Sequence, residues 1–156
     1  MKEHQNLFRD LQEDFRKMKK NLLVAQSGGP TAAINATLAG VIKQAIKEEQ
    51  IDQVYGACYG IQGVLEQKFV NLTEKVDTEE KLEKLKRTPA AALGSCRFKL
   101  NDIKEDDSQY QEIVDILHKM NIGYFVYIGG NDSMDTVAKL SAYCKEKGVE
   151  LSLIHI

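Results

Sequence analysis

The stretch NLLVAQSGGPTAAINATLAGVIKQAIKEE, residues 21–49, decides the fold of this chain. It opens with an apolar run at residues 22–25, which has the length of a buried β-strand. A glycine-containing loop follows. After the loop, apolar residues recur every three or four positions, which is the period of an α-helix. These residues are Ile34, Leu38, Val41, Ala45 and Ile46. The stretch therefore predicts a strand, a loop and a helix in succession.

The loop between this strand and this helix contains Gly28 and Gly29, followed by Pro30. Glycines have no Cβ atom, so their backbone N–H groups can approach a ligand closely. Pro30 suits the first position of a helix, where a missing N–H group breaks no hydrogen bond. The N-terminus of the helix attracts anions. The loop therefore predicts a phosphate-binding site, although a tight turn from strand to helix explains one glycine pair equally well.

Composition limits the classes of function. The chain has 156 residues, 43% of them hydrophobic and 28% charged, as expected for one globular domain with its own core. A net charge of −2 gives no basic surface for nucleic acid. The sequence has no apolar run of membrane-spanning length, and its charged N-terminus is unlike a signal peptide. The three cysteines have neither disulfide nor metal-site spacing. We therefore expect a cytoplasmic protein without nucleic-acid or membrane partners.

The remainder of the chain alternates between predicted strands and predicted helices. Residues 1–20 are expected to form a polar helical extension, with an apolar stripe that includes Phe8 and Phe15. Further strands are predicted at residues 52–58, 69–72, 124–128 and 149–156, and helices at residues 79–87, 109–120 and 134–147. Alternating elements with apolar strands favour an α/β fold, a Rossmann-like three-layer sandwich with a mostly parallel sheet.

Glycines mark the predicted turns of the remaining segments. Residues 59–65 contain two glycines and are expected to be rich in turns. Gly123 is expected to end one helix and Gly148 the next. Residues 89–98 have neither a helical nor a strand period, so we predict a loop of small residues there.

A second glycine loop, GGNDS at residues 129–133, follows the predicted strand at residues 124–128. Ligands of open parallel sheets bind outside the carboxyl ends of the strands. If the two strands are neighbours, both loops face one polyanion. Asp132, beside Asn131, is a candidate Mg²⁺ ligand because carboxylate and amide oxygens suit that ion. Arg97, in the small-residue loop, is a candidate phosphate ligand through its guanidinium fork, or else part of a surface salt bridge.

Three motifs occur in the same order and at the same distances as in 6-phosphofructokinases: QSGGPTAAIN (26–35), LGSCRF (93–98) and IGGNDSM (128–134). From residue 21 to the last residue, the chain resembles the amino-terminal part of that family's large domain. The resemblance divides the chain into an extension, residues 1–20, and a phosphoryl-donor segment, residues 21–156. NAD and lipid kinases also use a Gly-Gly-Asp-type loop, but the LGSCRF motif argues against them.

The resemblance implies roles for individual residues in donor binding. Gly28, Gly29 and Ser133 match residues that contact the donor phosphate. Arg97 matches the arginine that bridges the donor and the sugar phosphate, and its catalytic role is charge stabilisation.

The resemblance also implies Mg²⁺ as a cofactor, because Asn131 and Asp132 match the family's metal-binding loop. Asn131 stands where aspartate is commoner, and a neutral amide binds Mg²⁺ more weakly. Asp132 stands where ATP-using members have glycine. An acidic residue there resembles the pyrophosphate-dependent branch, so Asp132 is predicted to select the donor.

The activity implied by the resemblance is the glycolytic transfer of phosphate from pyrophosphate to the 1-hydroxyl of fructose 6-phosphate, in an enzyme expected to be a homo-oligomer. The alternatives are the same reaction with ATP, and a non-catalytic phosphate-binding or interaction domain. In the family, a TIDND motif that carries the catalytic base follows the position at which this chain ends, Ile156. The resemblance therefore implies a fragment with an incomplete sheet that is inactive alone. Whether residues 1–17 and 151–156 are native stays open.

Overall fold

A computed structural model describes residues 2–29 and 31–156, and it contains a five-stranded sheet covered by helices on both faces. The five strands alternate with helical segments along the chain. They are β1 (Lys20–Gln26), β2 (Ile51–Ala57), β3 (Phe69–Asn71), β4 (Ile122–Ile128) and β5 (Ser152–His155). The predicted strands are thus confirmed. Pro30, which we placed at the start of a helix, lies outside the described residues.

The strand order in the sheet is β3-β2-β1-β4-β5, so β1 lies at the centre. β1 pairs in parallel with both β2 and β4, and β4 pairs in parallel with β5. Only β3, at one edge of the described sheet, is antiparallel to its neighbour. This arrangement confirms the predicted mostly parallel sheet, and it brings the carboxyl ends of β1, β2 and β4 to the same side.

Seven helical segments occur within the described residues, of which the first precedes β1 and the other six lie between strands. They are α1 (Lys2–Met18), α2 (Ala32–Ala45), α3 (Gly60–Leu65), α4 (Leu72–Lys75), α5 (Glu79–Arg87), α6 (Ser108–Lys119) and α7 (Asn131–Lys147). The helix that we predicted at residues 79–87 begins as expected, because the Thr78 hydroxyl accepts a hydrogen bond from the Lys81 N–H. Gly148 ends α7 in the left-handed conformation, with φ of 66°. Across the part of the chain described here, no helix is both long and apolar enough to cross a membrane.

Two of the predicted turns are wrong. Residues 60–65 form the short helix α3, in which a Cβ atom on Gly63 would lie 1.5 Å from the Cys58 carbonyl oxygen. Gly63 therefore permits close packing rather than a turn. Gly123 lies inside β4, where a Cβ atom would lie 2.6 Å from the Lys20 Cβ. The preceding helix instead ends before Asn121, which has φ of 54°. Asparagine tolerates this conformation better than most residues do.

Two hydrophobic cores lie on opposite faces of the sheet. Alternate residues of β1 point to opposite sides, so Leu23 belongs to one core and Val24 to the other. Helices α6 and α7 cover the first core, to which they contribute Tyr110, Ile113, Leu117, Leu140 and Tyr143. Helices α2 and α5 cover the second, with Ile34, Leu38, Ile42 and Leu82. The three-layer sandwich is therefore confirmed, and the central strands are buried on both faces.

Helix α1 keeps its apolar stripe in contact with solvent. Leu7, Phe8 and Leu11 remain 57%, 64% and 51% exposed, and the side chain of Phe15 lies outside the described residues. We propose that the extension is dispensable for the fold. A variant that starts at Met18 is expected to have an unfolding free energy within about 0.5 kcal/mol of that of the whole chain, because changes at exposed positions usually have effects of this size. Urea denaturation of both proteins measures this, and a clearly larger loss of unfolding free energy in the shortened protein would contradict it.

Candidate functional site

The two glycine loops meet at the carboxyl ends of β1 and β4. The register of these strands pairs Gln26 with Ile128, and the Ser27 N–H donates to the Ile128 carbonyl oxygen at 2.8 Å. Gly28 has φ of 88°, and a Cβ atom there would lie 3.1 Å from the Gly130 nitrogen. The first loop needs glycine at this position for both reasons. The two loops that sequence reasoning singled out are therefore in contact.

The surface of this junction is open. A Cβ atom on Gly29 or on Gly130 would have no neighbouring atom within 4 Å in the described structure. Helix α7 begins directly after Gly130, and no side chain caps its first N–H groups. The first N–H groups of a helix have no partner within the helix, so they are available to an anion. The space above both glycine pairs is a candidate phosphate site.

Ser133 contributes to this site through its backbone rather than its hydroxyl. The side chain is buried, and its Oγ donates to the Gly130 carbonyl oxygen at 2.8 Å. The hydroxyl thus holds the turn that opens α7. The N–H of Ser133 belongs to the first turn of the helix and stays among the groups that can face an anion.

The segment that carries Arg97 is attached directly to the first glycine loop. The Ser27 hydroxyl donates to the Cys96 carbonyl oxygen at 3.1 Å, and the Ser95 hydroxyl donates to the Gly28 carbonyl oxygen at 3.1 Å. Arg97 itself is exposed, and it forms no ion pair with any residue in the described ranges. The salt-bridge alternative for Arg97 therefore has no support here, and its guanidinium is available to a ligand.

Two buried amide side chains hold the loop that precedes this segment. Gln26 and Asn35 are both fully buried, and Gln26 Nε2 donates to Asn35 Oδ1 at 3.1 Å. Gln26 Oε1 accepts a hydrogen bond from the Leu93 N–H at 2.9 Å. The Asn35 amide donates to the Thr88 and Ala90 carbonyl oxygens, at 2.6 and 2.5 Å. Because buried amides require partners, this network fixes the loop against β1 and α2.

Tyr59 holds the same loop from the other side. It has a left-handed backbone, with φ of 63°, and its N–H donates to the Leu93 carbonyl oxygen at 2.8 Å. A Cβ atom on Gly94 would lie 2.6 Å from the Tyr59 ring, so only glycine leaves room for this contact. A non-glycine residue in this conformation is strained, and such strain often occurs at functional sites.

The phenol of Tyr127 lies beside Cys96, with its hydroxyl oxygen 4.0 Å from the Cys96 sulfur. Tyr127 is almost fully buried, and its hydroxyl accepts a hydrogen bond from the Ile61 N–H at 3.0 Å. Burial raises the pKa of Tyr127 to about 12. The phenol therefore stays protonated at physiological pH, and it adds no negative charge beside the segment that carries Arg97.

The predicted metal ligands lie at the start of α7. Asn131 is exposed, and the Asp132 side chain is 44% exposed, with Oδ1 3.7 Å from the Lys99 ammonium nitrogen. No group of three or more potential metal-binding side chains occurs among the residues that the structure describes. Mg²⁺ in proteins is usually held by one or two carboxylates together with substrate phosphates. One accessible carboxylate and one amide beside a phosphate site fit such an ion.

Sequence reasoning missed four residues that shape this site: Gln26, Asn35, Tyr59 and Lys99. Asn35 had a detectable signal, because a polar residue directly after Ile34 lies next to the apolar stripe of α2. Lys99 also had a detectable signal, since it is a second cation two positions after Arg97, in a segment without helical period. The roles of Gln26 and Tyr59 depend on contacts with distant residues, which the sequence does not display.

The chain is similar to a family of known proteins over most of its length. The family model described as Phosphofructokinase matches residues 21–156. The chain is 42% identical over 138 residues to the pyrophosphate–fructose 6-phosphate 1-phosphotransferase of Rhodospirillum rubrum, covering 88% of this chain and 32% of that protein. Its identity to the Halomonas elongata protein of the same name is 39% over 137 residues, covering 87% and 32%.

A solved structure supports the same family. The pyrophosphate-dependent phosphofructokinase of Nitrosospira multiformis superimposes with a TM-score of 0.79 at 36% identity, over 88% of this chain and 33% of that one. The chain thus spans about a third of the length of the relatives it matches. The family model covers most of the chain, and the relatives share both its sequence and its fold. The chain therefore belongs to the phosphofructokinase family.

Proposed function

We propose that this chain forms the phosphoryl-donor site of an enzyme that transfers phosphate from pyrophosphate to the 1-hydroxyl of fructose 6-phosphate, giving fructose 1,6-bisphosphate. The observation that carries this proposal is the junction of two glycine loops, open at Gly29 and Gly130, beside Arg97, which forms no ion pair with any of the described residues. The names of the two curated relatives support pyrophosphate as the donor. We further propose that the enzyme is a cytoplasmic homo-oligomer of glycolysis.

The proposed chemistry depends on positioning and on charge. Phosphoryl transfer needs an aligned donor and neutralisation of the charge on the moving phosphate. The N–H groups of Gly28, Gly29 and Ser133 would hold the donor phosphates, and Arg97 would neutralise charge as it develops. Asn131 and Asp132 would hold Mg²⁺, which supplies further charge neutralisation when it is bound to the donor.

We propose that Asp132 selects pyrophosphate over ATP. Its carboxylate lies at the start of α7, beside the open space above Gly130. ATP continues beyond its second phosphate, whereas pyrophosphate ends there. At about 4 Å and an effective dielectric constant near 20, two like charges repel by roughly 4 kcal/mol before screening. A carboxylate that repels the third phosphate of ATP therefore discriminates against the wrong donor.

The test of this function is the donor preference of the active enzyme that contains this segment. The wild type is expected to use pyrophosphate, and Asp132→Gly is expected to raise the ratio of kcat/KM for ATP to kcat/KM for pyrophosphate. Asp132→Asn keeps the size of the side chain and removes its charge, so it separates repulsion from steric exclusion. The matched control is Asp135→Asn. It removes another carboxylate of α7, which pairs with Lys139.

Each outcome of this experiment has a definite meaning. A wild type that prefers ATP contradicts the proposed donor and favours the ATP-dependent alternative. A wild type that transfers phosphate from neither donor favours the non-catalytic alternative. An unchanged ratio in Asp132→Gly contradicts the role of Asp132 alone, and equal effects of the Asp132 and Asp135 variants would reduce that role to a general change of charge.

A further inference from the structure

We propose that Lys99 is a second pyrophosphate-binding cation of the donor site and that it acts together with Asp132. This inference rests on the proposed function, because it assumes that the anion above the glycine loops is pyrophosphate. The role of Lys99 follows from the path of the segment and from the position of the ammonium group.

Lys99 faces the same side of its segment as Arg97. Along residues 95–100, exposed residues alternate with less exposed ones: Arg97 and Lys99 are exposed, Phe98 is half-buried and Leu100 is buried. This alternation is typical of an extended backbone, in which positions two apart point the same way. Two cations with a spacing of roughly 7 Å between their Cα atoms therefore lie on the same side of this segment, and one of them, Lys99, reaches the start of α7.

The backbone around Lys99 is held against helix α7. Lys139, in the third turn of α7, donates to the Leu100 carbonyl oxygen at 3.3 Å. The Tyr110 hydroxyl donates to the Asn101 carbonyl oxygen at 2.5 Å. The side chain of Leu100 is packed in the first hydrophobic core. The segment is thus fixed beside the helix whose first turn carries Asp132.

The ammonium group of Lys99 is close to Asp132 but forms no hydrogen bond with it. The distance from Lys99 Nζ to Asp132 Oδ1 is 3.7 Å, which exceeds a hydrogen bond, and the Lys99 side chain is 72% exposed. A pair of this kind is weak in water. The ammonium group can therefore turn towards an incoming anion while it still offsets the charge of Asp132.

The charge of pyrophosphate explains why such a cation is needed. Its second phosphate is a terminal group, whereas the corresponding phosphate of ATP is linked to a third. Pyrophosphate therefore ends near the start of α7, where the negative charge of Asp132 opposes it unless a cation compensates that charge. Lys99 lets the site retain a carboxylate that disfavours ATP without losing affinity for pyrophosphate. Donor selection is thus a property of the Lys99–Asp132 pair.

Calorimetric titration of the active enzyme that contains this segment, with pyrophosphate in the presence of Mg²⁺, tests this pair. Lys99→Met is expected to raise the Kd about tenfold, the size expected when one charge-assisted contact is lost. Lys104→Met removes an exposed lysine from the same irregular region and is expected to leave the Kd unchanged. Combining Lys99→Met with Asp132→Asn tests the pair, because two residues that act together are expected to give a loss of binding free energy that differs from the sum of the two single losses.

The outcomes separate this inference from the proposed function. If the wild-type enzyme does not bind pyrophosphate, the proposed donor site fails and the role of Lys99 fails with it. If the wild type binds and Lys99→Met binds equally well, the role of Lys99 is wrong while the donor site stands. Equal losses in Lys99→Met and Lys104→Met would indicate only a general effect of positive charge, which also overturns it. Lys99→Gln provides a second variant if the methionine variant has a lower Tm than the wild type.

Discussion

Replacement of Arg97 by methionine is expected to lower kcat/KM for pyrophosphate by about a thousandfold in the active enzyme that contains this segment. Removal of a preorganised charged donor at a phosphoryl-transfer site commonly costs a factor of 10³ or more. Arg97 is exposed and forms no ion pair within the described part of the chain, so its substitution leaves no buried partner behind. Steady-state kinetics with varied pyrophosphate measure the effect, while an unchanged Tm shows that the fold is intact.

Two further variants make the Arg97 result specific. Arg97→Lys keeps the charge but loses the planar fork that binds two phosphate oxygens at once, so we expect an intermediate loss. Arg9→Met removes an exposed arginine from α1, the helix that leads into the opposite end of β1, and we expect no loss. A loss of less than tenfold in Arg97→Met would exclude Arg97 from the reacting centre.

Replacement of Asn35 by alanine is expected to lower the unfolding free energy by about 3 kcal/mol or more. Its side chain accepts from the Gln26 amide and the Ala92 N–H, and it donates to the Thr88 and Ala90 carbonyl oxygens. Each buried polar group that loses its partner costs about 1–3 kcal/mol. Domains are stable by only about 5–15 kcal/mol, so this one change removes a large part of the total.

The matched control for Asn35→Ala is Gln44→Ala in the same helix. Gln44 is an exposed amide whose Nε2 donates to Glu48 Oε1 at 2.6 Å. Its replacement is expected to change the free energy by less than about 0.5 kcal/mol. Urea denaturation of the three proteins gives the comparison. Equal stabilities of Asn35→Ala and wild type would mean that water replaces the buried amide, and that the loop at residues 88–93 is held by Tyr59 and its neighbours alone.

The sequence predicted the elements of this fold because each of them carries a local signal. β4 is an apolar run, α2 and α6 have a helical stripe, and Gly148 ends α7 as its position indicated. Helix α3 was missed because six residues with two glycines are too short to show a helical period. Gly123 was wrongly predicted to end a helix. Glycine is needed there because a Cβ atom would collide with Lys20, a residue far away in the sequence.

The candidate site was predictable only in part. The Gly-Gly pairs, Arg97 and Asp132 were found because their residue types carry chemistry wherever they stand. The contact of Gly28 with Gly130 requires β1 and β4 to be neighbours in the sheet. From the sequence, this pairing could only be assumed. The buried Gln26–Asn35 pair and the approach of Lys99 to Asp132 are products of tertiary packing, so no local pattern displays them.

The pairing of β1 with β4 also has a consequence for how the molecule folds. Residues Gln26 and Ile128 lie roughly a hundred positions apart in the chain, yet they are partners in the central strand pair. Contacts between distant residues form slowly, because the entropy of closing a long loop must be overcome before the contact gives any stabilisation. β1 pairs with β2 across a much shorter loop. We therefore expect this half of the sheet to form first, and both glycine loops to acquire their shape only in the late step that adds β4.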